Sequence, residues 1–366
     1  MTDLAAHRRP YTAVLVVPTG IGAAIGGYAG DALPLARAIA TVVDTLITHP
    51  NVMNGAQLYW PLANAHYVEG YGLDQFAAGR WGLRPVHRNR IGLVLDAAIE
   101  TDLRWRHLQA AEATRATLGL DLTDYVITDA PLGVDLRTAP SGATWGTIQH
   151  PDSLLRAAER LLRAGATAIA VVARFPDNTD DTALQNYRQG QGVDPLAGAE
   201  AVISHLVVRT LRVPCAHAPA LSPLPLDPAI SPKSAAEEIG YTFLPCVLAG
   251  LSRAPQFVTT ATATAHDLWA HQVDALLVPA SACGGSAVLS LSRTHTLVVA
   301  VAENHTALNV PLTALGGQPV PAASYLEAIG LIVAHKAGLH PQALTAQVPR
   351  LQPLGQASPL PAPLAT

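Results

Sequence analysis

The sequence predicts an α/β protein of two lobes, with mainly parallel β-sheets flanked by helices in Rossmann-like layers. The first observation is a set of apolar runs that have the composition and length of strands buried on both faces: residues 13–18, 167–173, 275–279 and 296–302. The second is that helical patterns separate such runs. A helix that begins at Asp152 or Ser153 ends at Gly165, and a short turn connects it to the run 167–173. Such alternation of helices and strands is typical of parallel α/β folds.

The chain has 366 residues and is longer than one ordinary domain. We place an N-terminal α/β lobe at residues 11–140 and a C-terminal α/β lobe at residues 141–345, because small and turn-forming residues cluster at 138–146. Residues 346–366 are rich in proline without any periodicity, which predicts a flexible tail.

The composition argues against several classes of partner. Hydrophobic residues make up 49% of the chain, yet no stretch of about 18 uninterrupted apolar residues occurs, so we expect no membrane span. The low charged fraction of 14% instead indicates extensive burial, including a homo-oligomer interface. A net charge of -4, with lysine only at Lys233 and Lys336, argues against nucleic acid. Three widely spaced cysteines and the lack of an apolar signal segment predict a cytoplasmic protein.

A glycine-rich loop follows the first predicted strand. Its candidate ligand-binding residues are Thr19, Gly20, Gly22, Gly26 and Gly27. A strand, a glycine loop and a helix in succession bind phosphates and other anions through backbone N–H groups, although this spacing matches neither the nicotinamide fingerprint nor the P-loop. The alternative is a structural role, in which the glycines allow a tight turn and close packing of the helix.

Polar residues follow the next predicted strands. His49 and Asn51 come after one strand, and Glu69 ends the next. Together with strands that end at Asp96 and Asp129, this pattern predicts carboxylates gathered along one edge of a sheet, where they can serve as general acids, bases or metal ligands. Helix capping and loop hydrogen bonding are the alternative roles for each of them.

Two later segments add candidate residues. Residues 177–194 read as a long polar loop containing Arg188, and we interpret this loop as a lid that folds over a polar ligand or as a mobile connection. A short strand at 211–214 then delivers Cys215 and His217. Thiol and imidazole would thus lie just beyond the carboxyl end of a strand, where the ligand sites of parallel sheets collect.

The stretch 273–309 reads as strand, glycine turn, short helix and strand, and we organise the site around it. Its candidate residues are Cys283, Gly284, Gly285, Ser286, Glu303 and Asn304. If a helix begins near Ser286, its free N–H groups and dipole favour a thiolate at Cys283 or bind an anion directly. Glu303 and Asn304, after the second strand, are expected to fix a ligand by hydrogen bonds.

Several short motifs together resemble one protein family. They are Pro18–Gly22 (PTGIG), Thr48–Val52 (THPNV), Tyr67–Gly70 (YVEG), Arg174–Pro176 (RFP) and Cys215–Pro219 (CAHAP). The family is DUF3326, a domain of unknown function associated with cyanobacteria, other bacteria and photosynthetic eukaryotes, and the resemblance runs from about residue 12 to residue 340. It implies no activity, cofactor or catalytic residue, and it favours a cytosolic protein of a photosynthetic organism.

Our leading functional hypothesis is an enzyme that acts on a small polar or anionic metabolite between the two lobes. Cys283 would be the nucleophile or proton carrier and His217 its base. In a variant of this mechanism, Cys215 and Cys283 act on opposite faces of a substrate carbon. The sequence names no cofactor.

Two other hypotheses stay open. The first is a non-catalytic protein that binds or senses a small ligand with the same glycine loops, and it needs no reactive thiol. The second is a metal-dependent hydrolase or lyase, although no tight ligand spacing is present. Its candidate ligands are His49, His66, Glu69, His217, His295 and His305.

Overall fold

A computed structural model describes residues 9–55, 60–177, 181–238, 242–348 and 350–351, so most of the predicted tail lies outside the described residues. In chain order its strands are β1 (Thr12–Leu15), β2 (Thr45–Thr48), β3 (Ala65–Tyr67), β4 (Gly82–Arg84), β5 (Arg90–Leu95), β6 (Asp121–Ile127), β7 (Val134–Thr138), β8 (Thr144–Ile148), β9 (Ala168–Arg174), β10 (Cys215–Ala220), β11 (Gln256–Val258), β12 (Val273–Pro279), β13 (Leu297–Val301) and β14 (Val320–Ala322).

The helices are α1 (Leu33–Val42), α2 (Pro50–Met53), α3 (Gly70–Ala77), α4 (Thr101–Leu118), α5 (Pro151–Arg163), α6 (Asp181–Arg188), α7 (Ala197–Leu211), α8 (Pro232–Glu238), α9 (Leu244–Leu251), α10 (Ser286–Leu291) and α11 (Tyr325–Lys336). Local signals set several of these boundaries. Gly119 ends α4 in the left-handed conformation at a φ of 67°, and the Ser324 hydroxyl accepts the N–H of Glu327 to cap α11. None of the described helices combines the length and apolar character needed to cross a membrane.

Two parallel sheets confirm the predicted α/β fold class. The larger sheet has six strands in the order β14-β13-β12-β1-β2-β3, all parallel. The smaller has four parallel strands in the order β10-β9-β5-β6. Two antiparallel pairs, β4 with β11 and β7 with β8, complete the structure.

The six-stranded sheet has the strand order of a doubly wound fold. The chain runs outward through β1, β2 and β3, then returns to the centre at β12 and runs outward the other way. Between β1 and β12 the order therefore reverses, and a crevice opens there beyond the carboxyl ends of the strands. Ligands of open α/β sheets bind at such switch points.

The two sheets do not divide at residue 140, where the sequence places the lobe boundary. The larger sheet combines strands from both ends of the chain, and the smaller takes its strands from residues 90–220. One hydrophobic core also joins them, because Leu15 and Leu46 of the larger sheet and Ile91 and Val172 of the smaller belong to the same buried cluster. Pairing between distant segments decides this layout, and turn-forming composition does not reveal it.

Two local predictions also need correction. Cys215 opens β10, so it does not follow a strand end, and His217 lies inside that strand beside Val171 of β9. The segment predicted as a polar loop contains the helix α6. Leu184 and Tyr187 explain the helix, because both are apolar side chains that line a cavity. The mostly polar composition of the segment conceals this pattern.

Candidate functional site at the carboxyl ends of both sheets

A cavity of about 1310 Å³ lies between the two sheets. The segments that follow β1, β2, β3, β9, β10 and β12 all contribute to its wall, so the switch point of the larger sheet opens into it. Helices α6, α7 and α8 close the other side. Its volume is enough for a metabolite-sized ligand.

Helix α7 supplies the polar wall of the cavity. Glu200, Ser204 and His205 recur at a spacing of four and five residues, so they share one helix face, and that face opens to the cavity. The first turn of α7 sits close to β8, since Gly198 lies against the backbone of Thr144. This close approach fixes the helix and therefore the position of its polar face.

Contacts between side chains connect this face to β3 and β10. The Ser204 hydroxyl lies 3.1 Å from Nδ1 of His217 and 3.5 Å from Oε1 of Glu69. On the other side of the imidazole, Nε2 of His217 lies 3.8 Å from Oε2 of Glu200. A carboxylate, a hydroxyl, an imidazole and a second carboxyl group thus form one row along the cavity wall.

Glu69 both caps a helix and pairs with a histidine. Its Oε2 accepts the N–H groups of Tyr71 and Gly72 at the start of α3, and its Oε1 contacts Nδ1 of His205. Burial lowers the pKa of His205, but the hydrogen bond and charge of Glu69 outweigh it, and the net pKa is raised. Glu69 therefore caps a helix and also contacts a titratable side chain, so the two roles that the sequence presents as alternatives are compatible in this residue.

Three carboxyl groups near this row have raised pKa values, which favours their protonated form. Burial raises the pKa of Asp194 to about 6. Burial and the neighbouring charge of Asp194 raise the pKa of Glu200 to about 8, and the same causes with Glu200 raise the pKa of Glu237 well above its usual range. Glu237 also accepts the Tyr187 hydroxyl and the N–H of Ala29.

Two histidines of the cavity, His217 and His49, are held in the neutral form. Burial and the charge of His205 lower the pKa of His217 to about 3. Burial lowers the pKa of His49 to about 4, while the N–H of Val17 donates to its Nε2 at 3.0 Å. Because that nitrogen accepts a hydrogen bond, the proton of the neutral His49 ring is on Nδ1.

The structure brings part of the predicted site together. The predicted residues that line the cavity are Thr19, His49, Asn51, Glu69, His217, Gly285 and Ser286. The predicted residues that do not line it are Gly20, Gly22, Gly26, Gly27, Arg188, Cys215, Cys283, Gly284, Glu303 and Asn304. Arg188 lies behind the wall, where its guanidinium pairs with Glu238 and donates to the carbonyl of Pro225. Asp96 and Asp129, the other predicted strand-end acids, also lie outside the cavity.

The glycine loop has a structural role. The N–H groups of Ala24, Ile25, Gly26, Ala29 and Gly30 all donate to oxygen atoms of the protein, so they are not free for an anion. Among the glycines, Gly20 has a φ of 73°, and a side chain there would press on Thr144. These contacts favour the alternative role, a tight turn packed against the rest of the protein, for the segment from Ala24 to Gly30, and anion binding at Thr19, Gly20 and Gly22 stays a prediction.

Asn304 and Glu303 hold backbone segments in place. The Asn304 side chain accepts the N–H of Ile25 and donates to its carbonyl, both at 2.9 Å. Glu303 accepts the N–H of Tyr325 at the start of α11. Both side chains therefore hold loops and helices together, and neither lines the cavity wall.

The geometry gives the cysteine mechanism no support. Cys215 and Cys283 are both buried, and burial raises the pKa of each thiol, so neither is a ready nucleophile. The helix near Ser286 exists, but the Cys283 sulfur lies 3.6 Å from the carbonyl oxygens of Pro279 and Ala280. Packing inside the core explains both positions better than reactivity does.

We expect thiol-specific labelling to show the same burial. Native protein should react with dithionitrobenzoate at least roughly 100-fold more slowly than unfolded protein below pH 8, because a buried neutral thiol neither ionises nor meets the reagent. The unfolded chain is the control. Rapid reaction of one thiol equivalent in the native protein, mapped to Cys283 or Cys215, would restore the cysteine mechanism.

The metal hypothesis lacks a ligand set. In the ranges that the structure describes, no three His, Cys, Asp or Glu side chains are grouped so that they can hold a metal ion. His49, Glu69 and His217 do line the same cavity, but His66, His295 and His305 do not.

Sequence reasoning missed the polar face of α7 and the acids beside it. The missed residues are Asp194, Glu200, Ser204, His205 and Glu237. A signal was present, because Glu200, Ser204 and His205 interrupt an otherwise apolar helix at helical spacing. Asp194 and Glu237 gave no such signal, since only the fold brings their segments to the same wall.

Comparison with known proteins places the chain in a family. Residues 12–345 match the family described as "Protein of unknown function (DUF3326)". The chain is 64% identical over 337 residues to a protein of Synechococcus sp. named "Uncharacterized lipoprotein", and the match covers 92% of this chain and 94% of that relative. No solved structure gives a significant match. The resemblance carried by the short motifs is confirmed, and the chain belongs to the DUF3326 family.

Proposed function

We propose that the protein is an enzyme that binds a small polar molecule in the cavity and acts on it by general acid/base chemistry. The observation that carries this proposal is the adjacent pair of Glu200 and His217, 3.8 Å apart on the cavity wall. Their environments drive the pKa of Glu200 up to about 8 and the pKa of His217 down to about 3. Titratable groups whose pKa values are pushed apart in this way are typical acid and base partners.

In this proposal each of the four groups in the row has one role. The Ser204 hydroxyl donates toward Glu69 and accepts from Nδ1 of His217, so the neutral imidazole keeps its lone pair on Nε2. That atom faces Glu200 and can take a proton from a bound ligand. At neutral pH Glu200 is protonated and can donate a proton to the same ligand. Ser204 and Glu69 act as positioning residues for His217.

A non-catalytic ligand-binding protein is the second candidate. The same cavity and the same hydrogen-bonding groups serve a binder equally well, and Tyr187 in the wall adds contact area for an apolar part of the ligand. The two candidates differ in stoichiometry. An enzyme converts many molecules per protein chain, and a binder retains at most about one per site.

We expect a substitution at His217 to separate them. Wild-type protein incubated with a small-molecule extract of Synechococcus cells should deplete at least one metabolite in large molar excess over protein, as followed by mass spectrometry. His217→Asn should lower that rate by roughly 100-fold or more, because it removes the proton acceptor.

The control is His87→Asn, which changes an exposed histidine outside the cavity. Equal depletion by wild type and His217→Asn would refute the acid/base proposal. Retention of a metabolite in a 1:1 ratio without conversion would favour the binding protein.

A further inference from the structure

The charged side chains of the cavity wall are mostly acidic. Eight carboxyl groups line it, against Arg106 as the one Lys or Arg side chain among the described lining residues. The acidic residues are Glu69, Asp74, Asp177, Asp194, Glu200, Asp227, Glu237 and Glu238. Such a wall does not suit the anionic metabolite that the sequence predicts as one option, because an anion would add to the repulsion.

Five of these acids have partners within the protein. Glu69 pairs with His205, Asp177 with Arg174 and Glu238 with Arg188. Asp74 accepts the N–H of Ala287, and Asp227 accepts the N–H of Ala229. The charges of Glu69, Asp177 and Glu238 are therefore balanced without a ligand, whereas Asp74 and Asp227 have backbone partners.

The other three acids, Asp194, Glu200 and Glu237, form no ion pair with a Lys or Arg in the part of the chain that the structure describes. Asp194 accepts the N–H of Leu196, and Glu237 accepts the Tyr187 hydroxyl. The Glu200 side chain is 15% exposed and has no hydrogen bond to a described residue, and its Oε2 lies 3.8 Å from Nε2 of His217. A carboxyl group this buried ionises readily only beside a cation, so a cationic ligand suits this part of the wall.

An independent observation comes from His49. His49 is only 7% exposed, and its Nε2 is occupied by the N–H of Val17. The Nδ1–H of the neutral ring has no partner among the described residues, and His49 lines the cavity. This donor opens to the cavity, so a ligand there can supply its acceptor.

We propose that the ligand of this cavity carries a protonated amine that binds among Asp194, Glu200 and Glu237, and a hydrogen-bond acceptor that takes Nδ1–H of His49. This inference rests on the proposed function and names its substrate class. The amine supplies charge that relieves repulsion among three neighbouring carboxyl groups. The stacked rings of Tyr28 and Tyr187, with centroids 4.5 Å apart beside Glu237, support that end of the site.

Binding of an amine should release protons. Below pH 8 the carboxyl group of Glu200 is protonated in the empty cavity, because its pKa is about 8. A cation beside it favours the ionised form, so Glu200 gives its proton to the reacting atom of a substrate or, with a probe that has no atom to accept it, to the buffer. A neutral or anionic ligand has no such effect, so proton release distinguishes the classes.

The test is isothermal titration calorimetry of the full chain with three probes that share a four-carbon chain: diaminobutane, butanediol and succinate. At pH 7, in two buffers of different ionisation enthalpy, diaminobutane should bind with net proton release, and succinate should not bind. Glu200→Gln and Asp194→Asn should each weaken diaminobutane at least about 10-fold, since each removes an ionised partner of the amine. Asp135→Asn, at an exposed acid outside the cavity, is the matched control and should change nothing.

Binding of diaminobutane that neither variant weakens, binding of succinate instead, or no binding of the diamine overturns the amine proposal. These failures differ from failure of the proposed function. If the cells' depleted metabolite lacks an amine but its conversion still needs His217, only the amine proposal fails. If the diamine binds through Glu200 but no conversion depends on His217, the acid/base proposal fails and the amine site stands.

Discussion

We expect Glu200→Gln to make the protein more stable than wild type in alkaline solution. The folded protein holds the Glu200 proton more tightly than the unfolded chain, because burial and the charge of Asp194 raise its pKa from 4.5 to about 8. Between these values the folded state binds more protons than the unfolded state, so the free energy of unfolding falls as the pH rises from 4.5 to 8. Glutamine resembles the protonated acid and cannot ionise, so the variant escapes this loss.

The free energy of unfolding of Glu200→Gln should exceed that of wild type by roughly 2 to 4 kcal/mol at pH 9 and should be close to it at pH 4. One pKa unit corresponds to about 1.4 kcal/mol, and part of the effect is shared with Asp194 and Glu237. Guanidinium unfolding of both proteins across this range measures it. Glu112→Gln, at an exposed glutamate, is the control and should follow wild type. An equal or larger loss of stability in Glu200→Gln at pH 9 would contradict a raised pKa at this site.

The second large effect is expected at Gly198, in the first turn of α7. A Cβ atom built there lies 2.1 Å from the carbonyl oxygen of Thr144 and 2.5 Å from Cα of Trp145, so it collides with backbone that cannot rotate away. Gly198→Ala must therefore push α7 away from β8. Overpacking of this kind should lower the free energy of unfolding by about 3 kcal/mol.

Guanidinium denaturation measures this loss, and Gly330→Ala in α11 is the matched control. A Cβ atom at Gly330 meets nothing within 4 Å, and alanine favours the helix, so that variant should gain up to about 1 kcal/mol. Diaminobutane affinity should also fall in Gly198→Ala, because α7 carries Glu200. Equal stability of Gly198→Ala and wild type would show that β8 yields easily and that α7 is not fixed by this contact.

The sequence predicted the location of the site better than its chemistry. His49, Glu69 and His217 were identified because the sequence places them just after strands, and all three line the same cavity. The thiols were misjudged by the same rule. A position near a strand end does not decide whether a side chain points into a crevice or into the core, and Cys283 points into the core.

The acids that dominate the cavity were largely outside the reach of sequence reasoning. Asp194, Glu200 and Glu237 come from a loop and two different helices, and they become neighbours only when α7 and α8 fold over the strand ends. Their raised pKa values follow from burial and mutual repulsion. Both causes depend on distances in space, which spacing along the chain does not fix.

The sequence by itself determined the α/β class and the main buried strands, because periodicity and composition report which local segments are buried. Only the tertiary structure decided that β1 pairs with β12, which lies more than two hundred residues away. It also decided that five N–H groups between Ala24 and Gly30 of the glycine loop donate to the protein itself. Local preferences set the elements, whereas their partners are set by which distant surfaces bury each other most completely.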